Sequence, residues 1–339
     1  MTDNDHCKIT LKPLTGKEKQ SGYIDRSLIN LFGSVAVKPT LEFSRKDFFQ
    51  QTVKLVKKMS ISGVQQKLSL KLNHSNQLIA TNTGGEYIIK PSPEQYPYAA
   101  ENEHTAMVIH QHMGINTALC GLLAFSDGEL AYITKRFDKT ASGKLHQEDL
   151  LQCFGEPDVG KYDKTYEEAG QLLLEITNGK KAVILDYVKR VIMAYAIGNS
   201  DMHLKNLSVV RAGDNPTLFY DRLTPSYDNL FCDVYKEMEG GLSQLALGVL
   251  LDPEDGDEAF SEAHDYYGFY TGYDFVLLAE RLQISTKPII KFIQKLVSEA
   301  DAISKIISAG YMPTEMKEYA KALVRNRVRA LSKTEFTKN

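Results

Sequence analysis

Hydrophobic and polar positions along the chain predict a β-rich first third followed by a mostly helical remainder. Residues 7–13 alternate in polarity as a half-buried strand does, and the run 13–16, Pro-Leu-Thr-Gly, ends it. Asp25 is placed to cap a short helix over 25–31, and Ser44 one that runs to about residue 56. Leu68, Leu70 and Leu72 alternate with Lys67, Ser69 and Lys71, which predicts a strand behind a turn of small residues. Residues 86–91 form an apolar strand ending in Lys90 and stopped by Pro91. An amphipathic helix over 99–114 comes next, then strands at 119–125 and 130–134 joined by Ser126-Asp127-Gly128. Residues 135–138 read as a hinge, because the chain beyond residue 138 is expected to be helical. His146-Gln147-Glu148-Asp149 caps a helix carrying Leu150, Leu151 and Phe154, and the Gly-, Pro- and charge-rich stretch 155–163 reads as a mobile loop. Strong helices are predicted over 166–177 and 182–198, and a strand pair at 207–211 and 217–220. Three further helices are predicted over 274–282, 287–308 and 314–331. The expectation is an α+β chain of two lobes: residues 1–138 small and β-rich, residues 139–339 larger and helical.

Length supports two lobes, since 339 residues are many for one core. The formal net charge of -3 gives no reason to expect direct DNA binding. Cys7, Cys120, Cys153 and Cys232 are scattered and form no C-x-x-C pair, so neither a disulfide framework nor a zinc site is expected, and a reducing, cytoplasmic setting is. The acidic start, Met1 to Asp5, is unlike a signal peptide, and no apolar run is long enough to predict a membrane span.

Candidate chemistry centres on residues 199–206, Asn-Ser-Asp-Met-His-Leu-Lys-Asn, a polar loop between an apolar helix and a strand. Asp201 and Asn206 have the spacing of the catalytic Asp and metal-binding Asn of kinase loops. Taken alone, that match is common. Three further pieces stand in the matching order: Lys90 at a strand end, Glu101 or Glu103 on the next helix as its partner, and Asp228 after a short hairpin, where a second metal-binding carboxylate belongs. Asn206 and Asp228 offer the hard oxygen atoms that Mg²⁺ takes, with phosphate and water completing its shell. The turn at Ser60, Ser62 and Gly63 has two readings, a hairpin turn or a set of backbone N–H groups for an anion. Neither a Walker A pattern nor G-x-G-x-x-G occurs. His104, His110 and His112 have no carboxylate–His spacing that supports a metal site.

With flanking residues included, the chain resembles the HipA-type serine/threonine kinases, the toxins of bacterial toxin–antitoxin systems. The matching pieces are Ser60-Ile61-Ser62-Gly63-Val64-Gln65-Gln66-Lys67, Ile88-Ile89-Lys90-Pro91, Asn102-Glu103, Arg136-Phe137-Asp138, Gln147-Glu148-Asp149, residues 201–206, and Leu223-Thr224-Pro225-Ser226-Tyr227-Asp228. The resemblance implies a two-lobed, protein-kinase-like fold and an ATP- and Mg²⁺-dependent kinase. In it Asp201 would orient the substrate hydroxyl, and Asn206 and Asp228 would bind the metal. Ser62, Gly63, Val64, Gln65 and Lys67 would cover the ATP phosphates. Lys90, paired with Glu103, would bind them, and Lys135 and Phe137 would flank adenine. The roles of His203 and Lys205 stay open: His203 as a hydrogen-bond donor or a cation, Lys205 as a phosphate contact or a solvated charge. The Ser-Ile-Ser turn is similar to that of the HipT branch, as is an N-terminus shorter than HipA's by one small subdomain. That implies autophosphorylation at Ser60 and Ser62, a separate HipS-like partner and a HipB-like DNA-binding antitoxin. The implied target is an aminoacyl-tRNA synthetase. A catalytically silent component of a repressor complex and a small-molecule kinase of related fold are the alternatives. Against protein kinases at large there are two departures: Tyr227-Asp228-Asn229 stands in place of D-F-G, and His203 stands two residues after Asp201, where a lysine is usual.

Overall fold

The structure, a computed structural model, describes residues 5–56, 66–140, 143–236 and 244–337. Its class is α+β. The chain divides into two compact units: Met1–Ile109 with Ala118–Phe137 and Lys305–Lys317, and His110–Thr117 with Asp138–Ser304 and Glu318–Asn339. Among the described residues, no helix is long and apolar enough to cross a membrane.

The first unit is built on one antiparallel sheet of five strands, in the order β2-β1-β3-β5-β4. They are β1 Leu68–Leu72, β2 Leu78–Ala80, β3 Tyr87–Pro91, β4 Cys120–Ala124 and β5 Leu130–Lys135. Leu68 lies opposite Ile89 and Leu70 opposite Tyr87. These four, with Ile133, Phe48 and Phe125, are buried in one core. Alternation along β3 then turns Lys90 to the other face from Tyr87 and Ile89. One expectation fails here: residues 7–13 form a tight turn. Leu11 adopts a left-handed backbone (φ 54°), its N–H donates to the Cys7 carbonyl, and the Cys7 N–H donates to the Lys12 carbonyl. Alternation that short does not separate a strand from a turn with a buried lining.

In the second unit, the helix Lys181–Ile197 is the central element, with Val188, Val191, Ile192 and Tyr195 all buried. Thr165 and Glu168 form a capping box for the preceding helix, Tyr166–Ile176. The predicted strand at 217–220 is absent: Leu218 is exposed, and Thr217 N–H turns back to Asn215 Oδ1. Strand Ser208–Arg211 pairs instead with Arg222–Leu223 on one side and His146–Asp149 on the other. The segment after residue 138 is therefore not directly helical. It starts with a small hairpin, Lys139–Thr140 with Gly143–Lys144, and then strand His146–Asp149. Asp149 also caps the helix Leu150–Phe154, accepting from Gln152 N–H at 2.9 Å. The predicted helix 287–308 is two helices, Thr286–Ser298 and Ala300–Ala309, broken at Glu299, whose carboxylate meets His112 at 2.8 Å.

Candidate active site

Lys90 and the helix Ala99–His112 define the candidate residues of the first unit. Lys90 Nζ lies 2.9 and 3.2 Å from the two carboxylate oxygens of Glu103. Side-chain exposure is 14% for Lys90 and 1% for Glu103, so the pair is largely out of water and Lys90 is the member that still reaches it. Glu101 is turned elsewhere, toward Ser92 Oγ at 3.4 Å, and burial pushes its carboxyl up to about 7. Lys67 is exposed just before β1. Lys135 ends β5 with its N–H on the Leu119 carbonyl, and the Arg136 N–H between Lys135 and Phe137 donates to the Glu86 carbonyl. Phe137 is half-buried. Ser60, Ser62, Gly63, Val64 and Gln65 lie outside the described residues.

In the second unit, the helix Lys181–Ile197 ends at Gly198 in the left-handed region (φ 66°). A side chain there would also meet Leu323 Cδ2 at 2.7 Å and Asp233 Cβ at 3.0 Å. The chain then enters the loop through Asn199, whose Oδ1 accepts from the Asp201 N–H at 3.2 Å. The Asp201 carbonyl accepts from His203 N–H at 2.8 Å and from Asn206 Nδ2 at 2.7 Å. Donation through Nδ2 turns the Asn206 Oδ1 away from Asp201, leaving the amide oxygen as the available donor atom for a cation. A single turn of 3-10 helix, Leu204–Asn206, completes the loop.

Asp228 is held beside this loop by Tyr227, whose hydroxyl lies 3.0 Å from the Lys205 carbonyl and 2.6 Å from Ser208 Oγ. Burial pushes the Tyr227 phenol up, so it stays protonated and donates. Asn229 Nδ2 donates to Ser226 Oγ at 2.9 Å. Between these anchors Asp228 is forced to a positive φ of 59°, a conformation that costs an aspartate about 1 kcal/mol and that folds keep at sites where a side chain must be aimed. The tyrosine ahead of Asp228 thus ties the segment to the loop through its hydroxyl, a contact that phenylalanine at position 227 could not make.

His203 is buried, and that burial lowers its basicity. Asp201, whose Oδ1 lies 3.7 Å from Nε2, pulls the other way, as does Asp228. The net shift is toward the neutral ring. Lys205 meets Asp158 at 3.0 Å in a pair that still reaches water.

Among the described residues no group of three or more His, Cys, Asp or Glu comes together as a metal site. Asn206 and Asp228 fit a metal that takes most of its ligands from phosphate and water, as Mg²⁺ does, and do not fit a protein-caged ion.

Sequence reasoning missed Tyr162. It lies in the stretch read as a mobile loop, yet its hydroxyl donates to Asp201 Oδ1 at 2.7 Å. An aromatic residue in an otherwise polar, charged loop was the available signal.

An α+β chain with a strand lysine paired to a helix glutamate, and a D-x-x-x-x-N loop beside a second aspartate, has the parts of the protein-kinase-like class. Comparison with known proteins narrows that class. The model of the HipA-like C-terminal domain matches residues 59–303, and the chain belongs to this family. A Haemophilus influenzae protein named "Putative kinase" is 33% identical over 338 residues, covering 94% of this chain and 96% of its own. The Sinorhizobium fredii "Putative kinase Y4dM" is 36% identical over 198 residues, 54% of this chain and 47% of its own. Two solved structures share the fold. A chain of the Shewanella oneidensis MR-1 complex of HipA, HipB and operator DNA gives a TM-score of 0.63 at 18% identity, over 83% of this chain and 70% of that one. The Helicobacter pylori proinflammatory kinase CtkA gives 0.55 at 17%, over 82% of this chain and 92% of that one. The kinase-like fold expected from the resemblance is therefore the fold found.

Proposed function

We propose that this chain is an ATP- and Mg²⁺-dependent serine/threonine protein kinase, the toxin of a toxin–antitoxin pair. The observation that supports it most is the Lys90–Glu103 ion pair, which keeps a lysine, with its partner only 1% exposed, on the strand where a nucleotide kinase needs it. Lys90 binds the ATP phosphates, Ser62, Gly63, Val64, Gln65 and Lys67 are proposed as further phosphate contacts, and Lys135 and Phe137 flank adenine through backbone groups. Asn206 and Asp228 hold Mg²⁺, which when bound neutralises phosphate charge. Asp201 accepts the hydrogen bond of the substrate hydroxyl and takes its proton as transfer proceeds. Neutral His203 positions rather than charges the loop. Within its own unit, the Glu103 helix orients Lys90, and within the other the Gly198 cap starts the Asp201 loop; such positioning is most of what phosphoryl transfer asks of a protein.

An aminoacyl-tRNA synthetase is the proposed target, and Ser60 and Ser62 are proposed autophosphorylation sites. A phosphoserine brings about -1.5 to -2 charges to a turn where ATP phosphates must lie, so it lowers ATP binding. The test is phosphoproteomics of cells making the wild-type chain beside Asp201→Gln, with intact masses of both. The expected result is a new synthetase phosphosite and added phosphate on the wild type alone. Identical phosphoproteomes and masses would overturn the proposal.

A further inference from the structure

The loop ahead of the helix Tyr166–Ile176 makes three ties to the loop that carries Asp201. Asp158 pairs with Lys205 at 3.0 Å. The Lys161 carbonyl accepts from the Leu204 N–H at 3.3 Å. Beside it, Tyr162 Oη donates to Asp201 Oδ1 at 2.7 Å. The Tyr162 ring is itself held, edge-on to His203 at 5.2 Å between centroids and with Lys161 Nζ 4.7 Å from its centre.

What Asp201 needs explains the contact. Its backbone is fixed by Asn199, His203 and Asn206, but a fixed backbone does not choose a side-chain rotamer. The carboxylate is 51% exposed, and His203 Nε2, at 3.7 Å from Oδ1, is beyond hydrogen-bond range. Left to water, a side chain in that position samples several rotamers. A phenol donating to a carboxylate at this distance makes a charge-assisted bond, among the stronger kinds. It engages Oδ1 and so directs Oδ2.

We propose that Tyr162 is a positioning residue for phosphoryl transfer: its hydroxyl fixes the rotamer of Asp201 and presents Oδ2 to the substrate hydroxyl. This rests on the reading of Asp201 given above. The opposite use of the same contact is a gate, in which the phenol occupies the acceptor place and must swing away. The ties at Asp158 and Lys161 speak against a swinging arm, because they hold the Tyr162 backbone to the very loop it would have to leave.

Tyr162→Phe removes the hydroxyl and keeps the ring against His203. The assay is transfer of label from Mg²⁺-ATP to the chain itself and to a degenerate serine/threonine peptide pool. The expected kcat falls ~10- to 100-fold, with the ATP KM within about twofold and Tm nearly unchanged, since orientation and not binding is lost. In an Asp201→Ala background, Tyr162→Phe should lower the residual rate no further, because the two act as one unit. A loop-building role would instead add its loss in both backgrounds. Wild-type or raised kcat in Tyr162→Phe, beside an inactive Asp201→Ala protein, overturns the positioning role alone, and a raised kcat identifies the gate. Full activity of Asp201→Ala, or no transfer by the wild type, overturns the reading of Asp201 and this inference with it.

Discussion

At the scale of single residues, burial decides which charges this chain carries. Glu101 is buried near Ser92, and desolvation raises its carboxyl from the usual carboxylate range to about 7. A raised value means that the folded protein binds this proton more tightly than the unfolded chain. The stabilisation is complete below the unfolded value of 4.5 and is lost as pH rises through about 7. Glu101→Gln, a permanent mimic of the protonated acid, should therefore change Tm little at pH 4 to 5. At pH 8 it should raise stability, by about 3 kcal/mol at most. Thermal melts across that range check it, and a stabilisation that is flat with pH would refute the assignment. None of this was legible in the sequence. Glu101 and Glu103 looked equivalent apart from depth in the helix, and the two-residue step that sends one to Lys90 and the other to Ser92 is settled by the sheet beneath them.

At the scale of elements, the Lys90–Glu103 pair joins a strand to a helix, so its proposed part in ATP binding comes on top of a structural one. Lys90→Ala removes the cation from a glutamate with 1% exposure, so it should cost about 2–4 kcal/mol of stability besides any loss of nucleotide. The double variant Lys90→Met, Glu103→Leu should recover most of that stability and none of the ATP binding. Denaturant unfolding beside ATP titration separates the two effects. Equal ATP affinity in the double variant would remove Lys90 from the site. Gly198→Ala acts on the other unit's key element. The left-handed φ of 66° and the approach of Leu323 and Asp233 predict a loss of about 1–3 kcal/mol, with a lower Tm. Elements of this kind were readable where periodicity was long: the helices 166–177 and 182–198 and the strands β3 and β5 stand within a residue or two of their predicted bounds. Short signals failed. Residues 7–13 alternate as a strand does and form a turn, and residues 217–220, an apolar run read as a strand, form none, because four to seven residues fit either. The helix break at Glu299 has no Gly or Pro to announce it, and the contact of Glu299 with His112 is remote in sequence. Of the candidate site, the D-x-x-x-x-N loop was legible because its spacing is local. Tyr162 and the Tyr227 tie were not, because each acts through a contact that only the fold makes.

At the scale of the whole molecule, net charge bears on partners. Double-stranded DNA is bound chiefly through phosphate neutralisation, and a chain with a formal net charge of -3 brings no surplus of lysine and arginine to that task. On the net charge and the HipT-like features of the sequence, we propose that this chain reaches DNA through a HipB-like partner, with a HipS-like protein as a second partner. The purified chain alone should show weak binding to any duplex, no preference for the sequence upstream of its own reading frame, and a shallow dependence of affinity on salt. Adding a HipB-like DNA-binding protein should produce a tight complex whose log affinity falls steeply with log salt concentration, by about 0.9 per phosphate neutralised. That slope should equal the slope for the partner alone, because the kinase chain adds no phosphate contacts. Fluorescence anisotropy with a labelled duplex at several salt concentrations measures all three. Tight, salt-steep binding by the chain alone, or a slope that grows markedly when the chain joins the partner, would show that a basic face overcomes the net charge and that this chain touches DNA itself.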